Sequence, residues 1–515
     1  MSDYIVEMKH IIKRFPGIIA NDDVTLGIKK GEVFALLGEN GAGKSTLMSI
    51  LFGMYEPDFG EIFIRGKKVT ITSPNHAAKL NIGMVHQHFK LVPDYTIAEN
   101  IVMGQEPIGH FLGFLPYVDK KVASKQIKEL STRFGLEVDP DKRIDEVSVS
   151  VRQRVEILKM LYRDAEILIF DEPTAVLTPQ EIDFLLQIIE NLKADGKTII
   201  LITHKLQEIK KVADRCAVMC RGKLTGIYDM KTTPINELAR HMVGREVELE
   251  LKKQKPKFGE NVLEVSGLTV FNQENFPVVN DVSFSIRKGE ILAIAGVAGN
   301  GQIEIADAIY GMMPVKKGTI KLNGKDITTE SIKNRIKAGI SYIPEDRQEE
   351  GLILNFSLEN NLVLKSYTAP PILNKDILNR EEIEKKAKDL IKRYDIRCAN
   401  GTKTVVRSMS GGNQQKAIIA RELDMPSSLI IFVQPTRGLD VGAIENIHRQ
   451  MIHERDNGKA ILLISLELDE VMNCADTIAV IYNGAINTIA EAHTLTASEI
   501  GQYMMGAKEN EADKR

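Results

Sequence analysis

A glycine-rich stretch decides the fold of the chain around it: Gly38-Glu39-Asn40-Gly41-Ala42-Gly43-Lys44-Ser45-Thr46, directly after the apolar run Val33–Leu37. A strand followed by a loop of this pattern predicts a site for the phosphates of a nucleotide, and all nine residues are candidate contacts. The glycines let backbone N–H groups surround phosphate oxygens, and the start of the following helix adds its dipole. We expect Lys44 against the β- and γ-phosphates and the Ser45 hydroxyl on Mg²⁺.

Two later apolar runs end in polar residues that suit phosphate chemistry. The run 167–170 is followed by Asp171, which suits Mg²⁺ coordination, and by Glu172, which suits the orientation and deprotonation of a water molecule. The run 198–202 is followed closely by His204. His204 is therefore a candidate γ-phosphate contact, and an ordinary exposed or hydrogen-bonded histidine is the alternative.

Phe15 is a candidate contact for the base of the nucleotide. It lies 29 residues before Lys44, within Lys13-Arg-Phe-Pro-Gly17. Position alone allows two roles for its ring, stacking on a base or packing in the core.

The chain repeats itself. Lys30-Gly-Glu-Val-Phe-Ala-Leu-Leu-Gly38 returns as Lys288-Gly-Glu-Ile-Leu-Ala-Ile-Ala-Gly296, an offset of 258 residues, and Gln87 falls on Glu345 at the same offset. Four later pairs share an offset of 262 residues: Ser148 with Ser410, Asp171 with Val433, His204 with Leu466 and Asp214 with Asp476. Short buried strands alternate with longer periodic segments in each copy, so we expect two α/β units in tandem.

The repeat predicts the domain boundaries. The first domain would span residues 1–245 and the second residues 261–506. Residues 246–260 are rich in lysine and are predicted to form the linker between them. Residues 507–515 are predicted to form a polar tail.

Composition excludes several classes of protein. The 515 residues are 43% hydrophobic with a net charge of −3, which is typical of a globular protein and argues against a polycationic nucleic-acid binder. The first ten residues lack the basic and apolar regions of a secretory signal. No apolar run approaches the roughly 18 residues of a spanning helix, so we expect no membrane crossing. The four cysteines are expected to be idle thiols rather than a disulfide or metal site.

These features together resemble the ATP-binding subunits of ABC transporters. The resemblance rests on the glycine-rich loop, Gln87, Asp171-Glu-Pro-Thr174, His204 and above all Ser410-Gly-Gly-Asn-Gln-Gln415, a motif specific to that superfamily. The tandem layout resembles the fused ATPase subunits of bacterial importers for simple sugars and nucleosides. The resemblance implies an α/β fold of two tandem P-loop ABC nucleotide-binding domains, each with a RecA-like core and a helical subdomain.

The resemblance also implies the composition of the active site. In this superfamily a nucleotide lies between the loop of one half and the Ser-Gly-Gly motif of the other. The first loop would then meet Ser410, Gly411 and Gly412, and one complete site for ATP and Mg²⁺ would result. The implied catalytic residues are Glu172, His204 and Gln87, and the implied Mg²⁺ ligands are Ser45, Gln87 and Asp171.

The other pairing lacks the groups that carry charge. The second loop has Gln302 and Ile303 in place of the lysine and the hydroxyl residue. Asp171, Glu172 and His204 are matched by Val433, Gln434 and Leu466. Ser150 stands where the first half would need a glycine for close approach of backbone N–H groups to phosphate. We therefore expect one hydrolysis event per closure, and nucleotide binding at the second site stays open.

The resemblance implies partners for such a chain. They are two integral membrane permease subunits and an extracytoplasmic substrate-binding protein, with this chain peripheral on the cytoplasmic face of the cell membrane. The motifs Val85-His-Gln-His-Phe89 and 172–179 favour the nucleoside branch over the sugar branch. A soluble tandem ABC ATPase that acts on ribosomes is the alternative, and it is disfavoured because such proteins normally keep two working sites and a long basic linker.

Overall fold

A computed structural model describes residues 4–16, 18–85, 90–111, 115–174, 179–203, 205–243, 253–272, 274–374 and 376–506, without the side chains of 110, 111, 115, 116, 149, 150, 179 and 180. The chain divides into two compact units, residues 1–247 with 440–442 and residues 248–439 with 443–515. Each unit combines parallel sheet, antiparallel sheet and helices, which confirms the predicted tandem α/β class.

The strands of the first unit form two main sheets and one hairpin. A four-stranded antiparallel sheet has the order β2-β1-β4-β5, and a six-stranded sheet has the order β12-β11-β3-β10-β9-β6. Strands β7 and β8 form the hairpin. The strand bounds are β1 Tyr4–Phe15, β2 Ile18–Lys29, β3 Val33–Gly38, β4 Phe59–Ile64, β5 Lys67–Val69, β6 Ile82–Val85, β7 Ile108–Phe111, β8 Leu115–Val118, β9 Ile167–Asp171, β10 Thr198–Ile202, β11 Arg215–Cys220 and β12 Lys223–Asp229.

Three helices of the first unit pack against one another, namely α3 (Ile97–Val102), α4 (Lys120–Phe134) and α5 (Val149–Tyr162). Helix α4 shows how such a helix is bounded, since the Asp119 carboxylate accepts the N–H groups of Lys121 and Val122 and Gly135 ends the helix in the left-handed conformation. The helix bounds are α1 Lys44–Leu51, α2 Pro74–Lys79, α3 Ile97–Val102, α4 Lys120–Phe134, α5 Val149–Tyr162, α6 Pro179–Ala194, α7 Leu206–Val212 and α8 Ile235–Val243.

The register of the six-stranded sheet places the functional loops together. Strands β3, β10 and β9 are parallel neighbours, and Ile202 pairs with Leu36 on one side and with Asp171 on the other. All three strands are buried throughout, as their branched apolar residues predict. Because parallel strands end at the same edge of a sheet, the loop after Gly38 and the side chain of Asp171 meet there.

The second unit repeats this topology. Its antiparallel sheet has the order β14-β13-β16-β17, its six-stranded sheet the order β24-β23-β15-β22-β21-β18, and β19 pairs with β20 in a hairpin. The strand bounds are β13 Asn261–Phe271, β14 Pro277–Arg287, β15 Ile291–Ala295, β16 Val315–Leu322, β17 Lys325–Asp326, β18 Ile340–Ile343, β19 Leu373–Asn374, β20 Ile377–Leu378, β21 Leu429–Val433, β22 Ala460–Ser465, β23 Thr477–Tyr482 and β24 Ala485–Glu491. The helix bounds are α9 Gln302–Tyr310, α10 Ile332–Ala338, α11 Leu358–Leu362, α12 Arg380–Arg393, α13 Gly411–Leu423, α14 Val441–Asp456, α15 Leu468–Cys474 and α16 Ala497–Met504.

Part of the segment predicted as linker packs on the second unit. The Lys253 ammonium donates to the carbonyl of Ala475 at 2.6 Å, and the Arg455 guanidinium donates to the carbonyl of Gln254 at 2.9 Å. Arg455 is itself buried and also pairs with Asp476 at 2.8 Å. These bonds hold residues 253–254 against the second unit.

Two further expectations concern membrane helices and thiols. Across the described residues no helix combines the length and the apolar character needed to span a bilayer. All four cysteines are free thiols, with Cys216 and Cys474 buried and Cys220 and Cys398 half-buried. The expectation of unpaired cysteines is confirmed.

Candidate active site

The loop between β3 and α1 has a backbone that only glycine adopts without strain. Gly41 and Gly43 have φ angles of 80° and 96°. A Cβ atom on Gly43 would lie 2.1 Å from the carbonyl oxygen of Ala20, and one on Gly38 would lie 2.4 Å from that of Met219. The loop is thus pressed against its neighbours, and a curled backbone of this kind fits a phosphate.

A substitution at Gly43 tests this packing. We expect Gly43→Ala to lower ATP affinity at least about tenfold, because the left-handed conformation costs about 1–2 kcal/mol and the added methyl group displaces the loop from Ala20. Gly66→Ala is the matched control, since Gly66 has φ 75° and no atom lies within 4 Å of the added Cβ. Equilibrium ATP binding and thermal unfolding measure both variants. Equal affinities in the two variants would contradict this account of the loop.

Lys44 places a buried cation inside the loop. Its side chain is 5% exposed, and Nζ donates to the carbonyl oxygens of Gly38 at 2.8 Å and Glu39 at 3.0 Å. Burial lowers the pKa of the Lys44 amine, and the carboxylates of Glu172 and Asp171 oppose that shift. The ammonium is therefore only partly compensated, which favours an additional anionic partner such as a phosphate.

Ser45 and Asp171 form a pair of oxygen ligands beside Lys44. The Ser45 hydroxyl donates to Oδ1 of Asp171 at 3.2 Å. Burial raises the pKa of the Asp171 carboxyl, the bond from Ser45 opposes the rise, and the charge of Glu172 adds to it. A hydroxyl and a carboxylate at this distance are the hard oxygen donors that Mg²⁺ prefers. These residues fit the predicted magnesium position.

Glu172 follows directly on β9 in an unusual backbone conformation. Its φ angle is 48°, and its N–H donates to the carbonyl of Ile202 at 2.9 Å. Gln434 in the second unit has φ 45° and donates in the same way to Ile464 at 2.7 Å. The two halves therefore keep the same strained turn, and they differ in whether it presents a carboxylate or an amide.

The other predicted residues of the first unit lie around this cluster or outside the description. Phe15 lies at the end of β1, 36% exposed, with its ring edge-on to Tyr55 at 5.4 Å between centroids. The loop residues Asn40 and Gly41 are exposed, Glu39 and Thr46 are half-buried and Ala42 is buried. Gln87 and His204 fall outside the described residues. The exposure of Phe15 excludes the core role that its position in the sequence left open.

In the second unit an uncharged side chain, Gln302, makes the hydrogen bonds to the glycine-rich loop. Gln302 is 2% exposed, and its Nε2 donates to the carbonyl oxygens of Val297 at 2.9 Å and Gly296 at 3.4 Å. These bonds match those of Lys44, while Oε1 of Gln302 has no partner. Ile303 and Val433 replace the serine and the aspartate of the first unit. Neither a magnesium pair nor a buried cation is present among these described positions.

The Ser-Gly-Gly motif of the second unit lies at the start of α13. Ser410 is the N-cap residue, with φ −65° and ψ 153°, and its Oγ accepts the side-chain amide of Asn413 at 2.9 Å. The first N–H groups of a helix have no partner within the helix and suit an anion. Ser148 has a similar backbone at the start of α5, with φ −64° and ψ 163°. Gly411 and Gly412 follow Ser410 as the first residues of their helix.

One residue in contact with the loop was absent from the sequence-based candidates. The Asn21 side chain on β2 donates from Nδ2 to the carbonyl oxygen of Gly43 at 3.0 Å. The signal was present in the repeat, because the offset of 258 residues matches Asn21 with Val279. As with Ser45 and Ile303, the polar group is present in the first half alone.

Two known import ATP-binding proteins are similar to this chain over nearly its full length. The guanosine import ATP-binding protein of Bacillus subtilis (strain 168) is 49% identical over 514 residues, which cover 99% of both chains. The nucleoside import ATP-binding protein of Lactococcus lactis subsp. cremoris (strain MG1363) is 48% identical over 510 residues, covering 99% of this chain and 100% of that protein.

Structural similarity extends over both units. An archaeal ribosome recycling factor, solved in complex with a ribosomal stalk protein, matches with a TM-score of 0.64 at 19% identity and covers 96% of this chain and 92% of its own. At that identity the match shows the fold alone. The family model described as ABC transporter matches residues 21–175 and 279–437. The chain therefore belongs to the ABC transporter family, as its motifs predicted, with one family domain in each half.

Proposed function

We propose that this chain is the ATP-hydrolysing subunit of an ABC-type importer for nucleosides. The observation that carries ATP hydrolysis is the cluster of Lys44, Ser45, Asp171 and Glu172 at one edge of the first six-stranded sheet. The full-length similarity to a guanosine import ATP-binding protein and to a nucleoside import ATP-binding protein supports the substrate class. The family resemblance of the sequence, to ATPase subunits of importers for simple sugars and nucleosides, implies the same kind of function.

Each candidate site residue of the first unit has a chemical role in this proposal. Lys44 binds the β- and γ-phosphates and offsets the charge that develops on them. Ser45 and Asp171, with Gln87, would hold Mg²⁺, which would neutralise charge on the phosphate oxygens. Glu172 orients a water molecule and accepts its proton, and His204 contacts the γ-phosphate. Phe15 stacks on the base, for which its exposed ring at the end of β1 is suited.

We further propose that the first loop is completed by Ser410, Gly411 and Gly412. The support lies in the distribution of motifs, because the half with an intact loop lacks an intact signature and the other half shows the reverse. This sorting yields one competent composite site and one site without lysine, hydroxyl or carboxylate groups. One hydrolysis event per closure follows from it.

The proposed partners are two permease chains and an extracytoplasmic substrate-binding protein, with this chain peripheral on the cytoplasmic face of the membrane. The full-length similarity to import ATP-binding proteins supports these partners. Closure on ATP and opening after hydrolysis would drive the permeases between their two states.

Uptake in a strain that lacks this chain tests the proposal. We expect uptake of labelled guanosine to be lost, to return with the wild-type chain and not to return with Glu172→Gln. Labelled ribose uptake is the matched control and is expected to stay unchanged. Loss of ribose uptake with unchanged guanosine uptake would show that the transported substrate is a sugar and not a nucleoside. Recovery of ribosomes without membrane proteins on the tagged chain would overturn the import function.

A further inference from the structure

Asn21 is a polar side chain buried against the phosphate loop of the first unit. It lies on β2, paired with Lys13 of β1, and is 0% exposed. Its Nδ2 donates to the carbonyl oxygen of Gly43 at 3.0 Å. Its Oδ1 is buried and has no hydrogen-bond partner. The amide thus makes one bond, to the loop, and leaves an acceptor unsatisfied.

The bond fixes one peptide group of the loop. The Gly43 carbonyl also accepts the N–H of Leu47 at 2.9 Å, which is the first bond of helix α1. Two donors on one carbonyl oxygen restrain the plane of the Gly43–Lys44 peptide. The N–H of Lys44 belongs to the same plane, so its direction is restrained as well.

The second unit shows the same scaffold without the amide. Val279 occupies the equivalent position on β14, paired with Val270 of β13, and the Gly301 carbonyl accepts the N–H of Ile305 at 3.0 Å. The surrounding backbone bonds agree, since Asp22 donates to Gly222 and Asn280 donates to Gly484, both at 2.8 Å. A Cβ atom on either final loop glycine would meet the same neighbouring carbonyl, at 2.1 Å in the first unit and 2.3 Å in the second.

Folding therefore does not require an asparagine at this position. A buried amide with an unpaired oxygen carries a desolvation cost, and an apolar side chain avoids it. The valine of the second unit forms the same strand and the same loop. The amide is present in the half that has Lys44, Ser45 and Asp171, and it is absent where those groups are absent.

We propose that Asn21 is a positioning residue for ATP, acting through the Gly43 carbonyl to hold the loop in its phosphate-binding conformation. The inference rests on the proposed function, because it takes the first loop to be the ATP site. It extends that function by assigning a residue on the antiparallel sheet, outside the loop and outside the strand ends, to nucleotide affinity.

The test is Asn21→Val in the full chain, which installs the residue of the second half. We expect its ATP affinity in the presence of Mg²⁺ to fall about 3- to 10-fold, the range of one neutral hydrogen bond. The Tm without nucleotide is expected to stay the same or to rise, because the unpaired oxygen is removed. Equilibrium binding of a fluorescent ATP analogue and thermal unfolding give the two readouts.

Ile28→Val is the matched control on the same strand. Ile28 is buried and pairs with Val6, seven residues along β2 from Asn21 and far from the loop. We expect this variant to lower the Tm and leave ATP affinity unchanged. The two variants together separate an effect on the loop from an effect on the strand.

Three results would count against the proposal. Equal ATP affinities of the wild type and Asn21→Val would overturn the positioning role alone. A loss of affinity accompanied by a fall in the nucleotide-free Tm would assign Asn21 to the core and also overturn it. A wild-type chain that does not bind ATP would overturn the proposed function, and this inference with it.

Discussion

We expect the Glu172→Gln protein to hydrolyse ATP at least about 100-fold more slowly than the wild type while binding ATP with similar affinity. A positioned general base contributes about 10²- to 10⁴-fold, and an amide cannot accept the proton of the attacking water. The fold should tolerate the change, because Gln434 holds the same strained turn in the second unit, with φ 45° and the same backbone bond. Turnover of the complex with its permeases and ATP binding to the full chain are the measurements.

The matched control for this prediction is Gln434→Glu. It installs a carboxylate at the equivalent turn, beside Val433 and a loop that has Gln302 and Ile303. The matching positions lack the lysine, the hydroxyl and the aspartate with which a catalytic carboxylate acts as a unit. Gln434→Glu added to Glu172→Gln should therefore leave turnover at the reduced level. Restored turnover in the double variant would refute the assignment of one competent site.

The architecture was predictable because its determinants are local and occur twice. The apolar run before Gly38 and the run before Asp171 could be assigned to buried strands from composition, and the matched offsets required both halves to share a topology. Parallel strands then place their ends at one edge, so the proximity of Ser45 to Asp171 follows from the fold class. A short-range pattern combined with one general rule of sheets was sufficient here.

Other contacts depend on packing that no local pattern encodes. The local sequence predicts that Asn21 is an ordinary residue of an amphipathic strand. Its bond to Gly43 joins residues 22 apart in the chain, from β2 of the four-stranded sheet to the loop after β3 of the six-stranded sheet. The charged composition around Lys253 indicates a solvated linker, whereas the buried Arg455 holds the neighbouring Gln254 carbonyl against the second unit. Such contacts depend on which buried groups need a partner in three dimensions.

Phe15 shows a third kind of limit. An aromatic residue before a turn can pack inward or remain at the surface, and both choices bury part of the ring. Position in the sequence left the choice open, and the exposure of the ring at the end of β1 decides for the surface.

The Lys44→Gln protein should lose at least about 100-fold in ATP turnover and bind ATP more weakly, yet unfold at the same temperature as the wild type or a higher one. Loss of one preorganised electrostatic contact in a transition state costs about 2.7–4 kcal/mol. The loop should stay closed, because Gln302 donates to Val297 and Gly296 as Lys44 donates to Glu39 and Gly38. Stability should not fall, since burial already lowers the pKa of the Lys44 amine and the neutral amide avoids the desolvation of a charge.

The reciprocal change, Gln302→Lys, tests whether a lysine in the loop is sufficient without the neighbouring carboxylates. The Lys44 ammonium is supported by the carboxylates of Asp171 and Glu172, whereas the second unit offers Val433 and Gln434 at the matching positions. A lysine there would be buried without compensation, so we expect Gln302→Lys to lower the Tm and to restore no turnover to Lys44→Gln. Calorimetric unfolding and steady-state hydrolysis distinguish these effects. Wild-type turnover in Lys44→Gln, or its return on adding Gln302→Lys, would show that the phosphate contact does not depend on a charge at Lys44.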